Sequence, residues 1–337
     1  MTPVPLRAGV RASGTPLATR APVENRIFSC GLGRLDPRGL GRLEQETNVG
    51  ASTKRIRLGL PKGRMQENVF KLLSDAGIRV GLETRGYRAT VSLPGFEAKM
   101  LKPQNIVEML HAGSRDVGFA GKDWVIEKKL DLVDLLDTRL DPVRIVAAAP
   151  TAMLVDGMLP RRHLVVASEY VGLTENWIER EGLDASFVRS YGATEVFPPE
   201  DADIIVDNTA TGSTLRANGL TIVDEIMTSS TRLYAHPKVL DDPDRKRMVD
   251  DLVLLLTSVI EARQRVMIEL NVANESFEAV VEMLPCMREP TVSRLHHESG
   301  FAVKAAVPQK SLAELIPRIK QAGGTDIVVT NLSQIIP

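Results

Sequence analysis

From Arg55 onward, short apolar runs alternate with stretches whose apolar residues recur at helical spacing. That alternation limits the chain to an α/β architecture with largely parallel strands. Residues 56–60 read as a strand, after which Met65, Val69, Leu72, Leu73 and Ala76 fall on one helical face that Gly77 closes. Pro61-Lys62-Gly63-Arg64 forms the turn between them. Pro103 opens a second helix carrying Ile106, Val107 and Leu110 and ending at Gly113, followed by a strand over 116–120 and the turn Gly121-Lys122-Asp123. Further strands are predicted over 143–149, 163–167, 220–223 and 231–235, with a helix over about 169–180. The chain is expected to cross into a second lobe near Ala147 and to return near Thr231. This gives a first lobe of residues 55–147 and 231–260 and a second of 148–230, facing each other like the lobes of periplasmic binding proteins. Small ligands bind in such clefts at the C-terminal ends of strands.

A long helix over about 245–263, with Leu252, Leu255, Leu256, Val259 and Ile260 on one stripe, is expected to act as a spacer. Beyond it come a strand (266–272), a helix carrying Phe277, Val280, Val281 and Leu284, and strands near 291–295 and 301–307. A helix with Leu312, Leu315, Ile316 and Ile319 and a strand over 326–330 complete the series. This β-α-β-β-α-β order is the ferredoxin-like split unit, placed at residues 261–337.

The chemically richest segment runs from Asp203 to Leu215. Ile204, Ile205 and Val206 suit a strand buried on both faces, and Asp207 at its end suits ribose hydroxyls or a hydrated Mg²⁺ ion. The loop that follows offers backbone N–H groups, the hydroxyls of Thr209, Thr211, Ser213 and Thr214, and the close approach allowed by Gly212. With the positive end of the next helix, these groups make an anion site fit for a sugar phosphate. The competing interpretation is an ordinary strand-to-helix turn capped by Ser and Thr.

Composition narrows the partners. A net charge of −1 with mixed signs argues against a nucleic-acid surface. Cys30 and Cys286 cannot form a disulfide framework, and no stretch approaches the roughly 20 apolar residues of a membrane span. A reducing, cytoplasmic setting is therefore expected. His296 and His297 are adjacent, a spacing unsuited to paired helical metal ligands. Residues 1–53 are rich in Gly, Pro and Arg with little periodicity, and the first 23 contain Arg7, Arg11 and Arg20 but no acid. They are expected to be a dispensable, disordered tail, the alternatives being a plastid transit peptide or a start codon assigned too early.

Taken with the sugar-phosphate loop, Leu60-Pro61-Lys62-Gly63-Arg64, Leu101-Lys102-Pro103-Gln104-Asn105-Ile106, the run Asp116 to Asp123 and the ferredoxin-like tail occur in an order that resembles ATP phosphoribosyltransferase. The long form, with a C-terminal regulatory domain, is the better match, and the resemblance covers about residues 55–337. It implies the first step of histidine biosynthesis: ATP and 5-phosphoribosyl-1-pyrophosphate give phosphoribosyl-ATP and pyrophosphate, with Mg²⁺ carried mainly by the substrate phosphates. The implied donor site is Asp207, Asn208, Thr209, Ala210, Thr211, Gly212, Ser213 and Thr214, with Asp207 on the ribose hydroxyls and Thr209 through Thr214 on the 5-phosphate. Glu195 is a second acid near the same cleft by resemblance, and equally a solvated loop acid. Lys62 and Arg64 are expected at the polyphosphate. Gly121 and Asp123 are expected at the nucleotide pocket, Asp123 alternatively as a plain helix cap.

Adenine N1 already carries a lone pair, so the chemistry needs positioning and leaving-group neutralisation more than a strong base. The segment 283–295, with Pro290, Thr291, Val292 and Ser293, resembles the region through which histidine inhibits the family. Cys286 stands where relatives have glycine, and Glu289 and Arg294 also depart, which bears on histidine affinity rather than on the fold. Lys102 replaces a frequent arginine. The resemblance implies dimers assembling into hexamers. Two other classes remain open: a phosphoribosyltransferase with another acceptor, and a non-catalytic two-lobed solute-binding protein, which would ordinarily need an export signal.

Overall fold

The computed structural model describes residues 55–82 and 88–336, and the extension expected over 1–53 lies outside them. β1 (Ile56–Pro61) turns at Lys62-Gly63 into α1 (Arg64–Asp75), which buries Val69, Leu72 and Leu73 on the face the spacing predicts. Three short strands that carry no clear alternation follow: β2 (Val80–Leu82), β3 (Arg88–Val91) and β4 (Phe96–Leu101). Next come α2 (Pro103–His111), β5 (Val117–Gly121) and α3 (Lys122–Glu127). α2 lies so close to β5 that a Cβ at Gly118 would stand 2.6 Å from Ile106 Cγ2, so only glycine fits there.

The strand expected over 143–149 is the last part of an eighteen-residue β6 (Val133–Pro150). β7 (Leu164–Ser168), α4 (Val171–Glu181), β8 (Ala185–Arg189), β9 (Ile204–Thr209) and α5 (Ser213–Ala217) build the second end of the molecule. The two runs expected over 220–223 and 231–235 are one strand, β10 (Leu220–Ala235). α6 (Pro243–Ala262) then begins with the Asp242 side chain accepting from the amides of Asp244 and Arg245.

These ten strands form one sheet in the order β2-β3-β4-β1-β5-β10-β6-β9-β7-β8. β1 is parallel to β4 and β5, and β7 is parallel to β8 and β9. β6 and β10 pair antiparallel from Ala235 opposite Val133 to Leu220 opposite Pro150, with register shifts that include the Ser229/Thr231 step. The double crossover is thus made by two paired strands running through both ends of the sheet. The apolar core divides accordingly. Ile56, Leu58, Leu72, Val249, Leu252 and Leu256 pack at one end, and Ile145, Val166, Tyr170, Trp177, Ile204 and Val206 at the other.

Asp116 anchors the first end. Its carboxylate accepts from Arg57 N (2.7 Å), Nε (2.9 Å) and Nη2 (2.7 Å), and Arg245 Nη2 lies 2.5 Å away. Burial pushes the Asp116 carboxyl up, but the hydrogen bonds from Arg57 and the charge and bond of Arg245 outweigh it and hold it below the ordinary carboxylate value. This clamp ties the start of β1 to α6, at the opposite end of β1 from Lys62.

The C-terminal unit comprises β11 (Arg265–Ala273), α7 (Phe277–Glu282), β12 (Thr291–Arg294), β13 (Gly300–Pro308), α8 (Leu312–Gln321) and β14 (Gly324–Asn331). Its sheet has the order β12-β13-β11-β14 with every pair antiparallel, the ferredoxin-like arrangement. Val266, Ile268, Leu270 and Val272 alternate inward along β11 onto Val280, Leu315 and Ile319 of the helices. Arg263 and Gln334 both bond to Asp75 at the end of α1, docking this unit on the first.

Candidate active site

β9 delivers Asp207 to the sheet end because Ile204, Ile205 and Val206 are wholly buried behind it. The chain then turns through Gly212 at φ 73°, a left-handed conformation that glycine adopts without strain. Thr209 is buried and its Oγ1 accepts from Gly212 N at 2.9 Å, so this hydroxyl holds the loop in shape. Thr211 Oγ1 donates to Ser213 Oγ at 3.0 Å, and Arg216 Nη1 donates to Thr211 O at 3.0 Å. Ala210, Thr211, Ser213 and Thr214 are exposed around a cavity of about 240 Å³ that Arg64, Glu195 and Asp207 also line.

A second cavity of about 330 Å³ adjoins the first, and Arg64 and Asn208 line both. Its walls include Lys62, Gln104, Gly121, Asp123, Tyr170 and Ser229. The structure therefore brings the expected residues of both groups to one cleft, Lys62 and Arg64 from the β1–α1 turn, Gly121 and Asp123 from the β5–α3 turn. Arg64 Nη2 reaches Asn208 Oδ1 across it at 3.4 Å. Asp123 does more than cap a helix. Its buried carboxylate accepts from Tyr170 Oη at 2.8 Å and from Ser229 Oγ at 2.6 Å, and its side chain makes no cap bond within α3. Gly121 is explained by the same side chain, since a Cβ there would fall 2.1 Å from Asp123 Oδ1.

Electrostatics single out Asp207. Burial pushes its carboxyl from 3.8 up to about 6; the Asn208 N–H bond opposes this, Glu195 and Glu169 add to it, and Arg64 opposes it. Asn208 donates to Asp207 Oδ1 both from its backbone N (2.7 Å) and from Nδ2 (3.2 Å). Glu195 sits in a short helical turn (Thr194–Val196) entered through Ala193 at φ 48°, and lines the same cavity as Asp207. A carboxyl raised in this way within a cleft makes Asp207 a candidate functional position.

Tyr170, Trp124, Glu169 and Ser229 were not legible as site residues. A tyrosine before a helix reads as core, and only the long-range pairing of β10 with β5 brings Ser229 to Asp123. Thr291, Val292 and Ser293 lie on β12, an exposed edge strand of the C-terminal sheet, with Pro290 just before it; neither cleft cavity includes them. Among the described residues, no group of three or more His, Cys, Asp or Glu side chains is arranged to hold a metal ion.

The profile of the family described as ATP phosphoribosyltransferase matches residues 102–258, and that described as HisG, C-terminal domain, matches residues 262–334. A protein of Chlorobium phaeovibrioides named ATP phosphoribosyltransferase is 34% identical over 290 residues, covering 85% of this chain and 99% of its own length. The chain belongs to the ATP phosphoribosyltransferase family. A relative of the same name from Desulforudis audaxviator is 35% identical over 288 residues, 84% of this chain and 100% of that one. Among solved structures, a chain of the ATP phosphoribosyl transferase (HisG:HisZ) complex from Thermotoga maritima superposes with a TM-score of 0.54 at 28% identity, covering 61% of this chain and 98% of its own. The expected family and its long, two-part form are therefore those found.

Proposed function

We propose that this chain joins ATP to 5-phosphoribosyl-1-pyrophosphate, giving phosphoribosyl-ATP and pyrophosphate, the first step of histidine biosynthesis. One observation carries the assignment: a cavity lined by an acid and loop hydroxyls meets a cavity lined by Lys62, Asp123 and Tyr170, with Arg64 and Asn208 common to both. In this reading Asp207 accepts from the ribose hydroxyls, and the 209–214 loop holds the 5-phosphate through amides and hydroxyls. Lys62 and Arg64 meet the polyphosphate, and Gly121 and Asp123 border the nucleotide. The N1 lone pair of adenine forms a bond to the anomeric carbon as the bond to pyrophosphate oxygen breaks. Holding these atoms in line supplies most of the rate. Glu195 lends a second negative charge where positive charge develops on the ribose.

The hard oxygen donors Asp207 and Glu195, with no preformed cage beside them, suit a divalent ion that arrives on substrate phosphates, for which Mg²⁺ is the natural candidate. When bound, such an ion neutralises charge on the departing pyrophosphate. The catalytic lobes are assigned to residues 55–147 with 231–260 and to 148–230, and the regulatory domain to 261–337. Histidine is read as the inhibitor, acting through Pro290, Thr291, Val292 and Ser293, and the enzyme as a homo-oligomer built from dimers. No helix of the described residues is long and apolar enough to cross a membrane, and a cytoplasmic site of action is part of this reading.

The test is product analysis by mass spectrometry, with histidine added or omitted, on the full chain and on a chain ending at Gln264. The full chain should form phosphoribosyl-ATP only when both substrates are present and should be inhibited by histidine; the shortened chain should escape inhibition. Pyrophosphate release without ATP would point to another acceptor, and inhibition of the shortened chain would move the histidine site.

A further inference from the structure

We propose that Tyr170 is a positioning residue for Asp207, acting through Asn208, and that Glu127 on the facing lobe holds Tyr170 in place. The inference rests on the assignment of Asp207 to the ribose. Tyr170 is 2% exposed, and its hydroxyl donates to Asp123 Oδ2 at 2.8 Å while accepting from Asn208 Nδ2 at 3.3 Å. Asn208 passes the constraint on, since Nδ2, besides donating to Tyr170, donates to Asp207 Oδ1, as the backbone N does. Asp207 Oδ2 has no hydrogen bond among the described residues, which leaves that oxygen to the ligand. An unbroken line therefore runs Ser229, Asp123, Tyr170, Asn208, Asp207, from the wall of one cavity to the acid of the other.

The tyrosine is itself gripped from the opposite lobe. It stands immediately before α4, and the first-turn amides of Gly172 and Leu173 donate to Glu127 Oε1 (3.0 Å) and Oε2 (2.9 Å). A carboxylate at a helix N-terminus satisfies orphan donors and meets the positive end of the dipole. Approach is so close that a Cβ at Gly172 would lie 2.9 Å from Glu127 O. Glu127 is the last residue of α3 and Asp123 its second, while Trp124 between them stacks on the Tyr170 ring at 4.7 Å between centroids. A six-residue helix of the first lobe thus holds the ring and hydroxyl of one tyrosine of the second, and the first turn of the helix that follows it.

A staple between lobes would hold stability without touching the chemistry of Asp207, and the two roles separate experimentally. Tyr170→Phe, Glu127→Gln and Asp207→Asn are compared in the full chain by kcat, KM for each substrate, the pH profile of kcat/KM and thermal melting. Loss of the tyrosine hydroxyl frees the Asn208 amide and weakens its donation to Asp207, a donation that favours the charged form. Glu195, Glu169 and Arg64, the other charges acting on Asp207, stay in place. Tyr170→Phe should lower kcat tenfold or more and move the acid limb of the profile to higher pH. Glu127→Gln should act in the same direction, more weakly.

Folded Tyr170→Phe with unchanged kcat and an unmoved acid limb overturns the proposal; should that variant not fold, the same two readings on Glu127→Gln decide it. An Asp207→Asn enzyme with normal turnover would sink the ribose assignment itself. An inert Asp207→Asn beside an unaltered Tyr170→Phe would sink the positioning role alone.

Discussion

Replacing Asp207 by asparagine should make the fold more stable and the enzyme inert. The carboxyl rises from 3.8 to about 6, chiefly because it is buried. At about 1.4 kcal/mol per pH unit, keeping it ionised in the folded chain costs up to about 3 kcal/mol at pH 7. The sign follows from proton binding: with the folded value above the unfolded one, the folded state holds the proton more tightly, so this group destabilises above pH 6. The cost fades as pH falls and is gone below about 3.8. Asparagine keeps an oxygen for the Asn208 N–H bond and carries no charge. Some of the gain is offset by lost attraction to Arg64, leaving about 1–3 kcal/mol, or about 2–6 °C in Tm for a chain of this size. Melting of wild type and variant without substrates, at equal concentration and at several pH values between 4 and 7.5, measures the difference. It should be near zero at pH 4 and largest above pH 6, while turnover at pH 7.5 falls by about a hundredfold or more. A variant less stable at pH 7, or a difference that ignores pH, would refute the reasoning.

Two further outcomes follow from the same structure. Glu195→Gln removes a charge that raises the Asp207 carboxyl, so the acid limb of kcat/KM should move to lower pH; a limb moving upward would show that Glu195 acts otherwise. Asp116→Ala strips a buried acceptor from Arg57 and Arg245 far from the cleft and should cost about 2–4 kcal/mol in denaturant unfolding, with KM unchanged in the protein that remains folded; a loss under 1 kcal/mol would demote this cluster.

Where one local rule dominates, the sequence was informative. The β1–α1 unit, α2, β9 with its loop and the C-terminal unit all follow from burial periodicity and from Gly or Pro at the boundaries. β2 to β4 and β8 escaped because they are short and only partly buried, with little alternation to read. Only the last part of β6 was read as a strand, and β10 looked like two separate pieces, because polar residues interrupt both. In the folded chain that polarity is paired across the ribbon, Ser230 Oγ donating to Asp137 and Thr231 Oγ1 to Asp141. The donor loop and the turns bearing Lys62, Arg64, Gly121 and Asp123 were visible as strand ends. Tyr170 and Glu127 were not, because their significance lies in partners 38 to 47 residues away.

The β6–β10 ribbon restricts how the halves can move. A strand pair cannot slide by one residue without turning its side chains to the wrong faces, so the lobes are denied translation past one another. Of the irregular steps along the ribbon, those near Ser229 and Thr231 fall in the span that also carries a partner of Asp123. Bending there would carry Ser229 with it, and with Ser229 the hydrogen bond that Asp123 accepts.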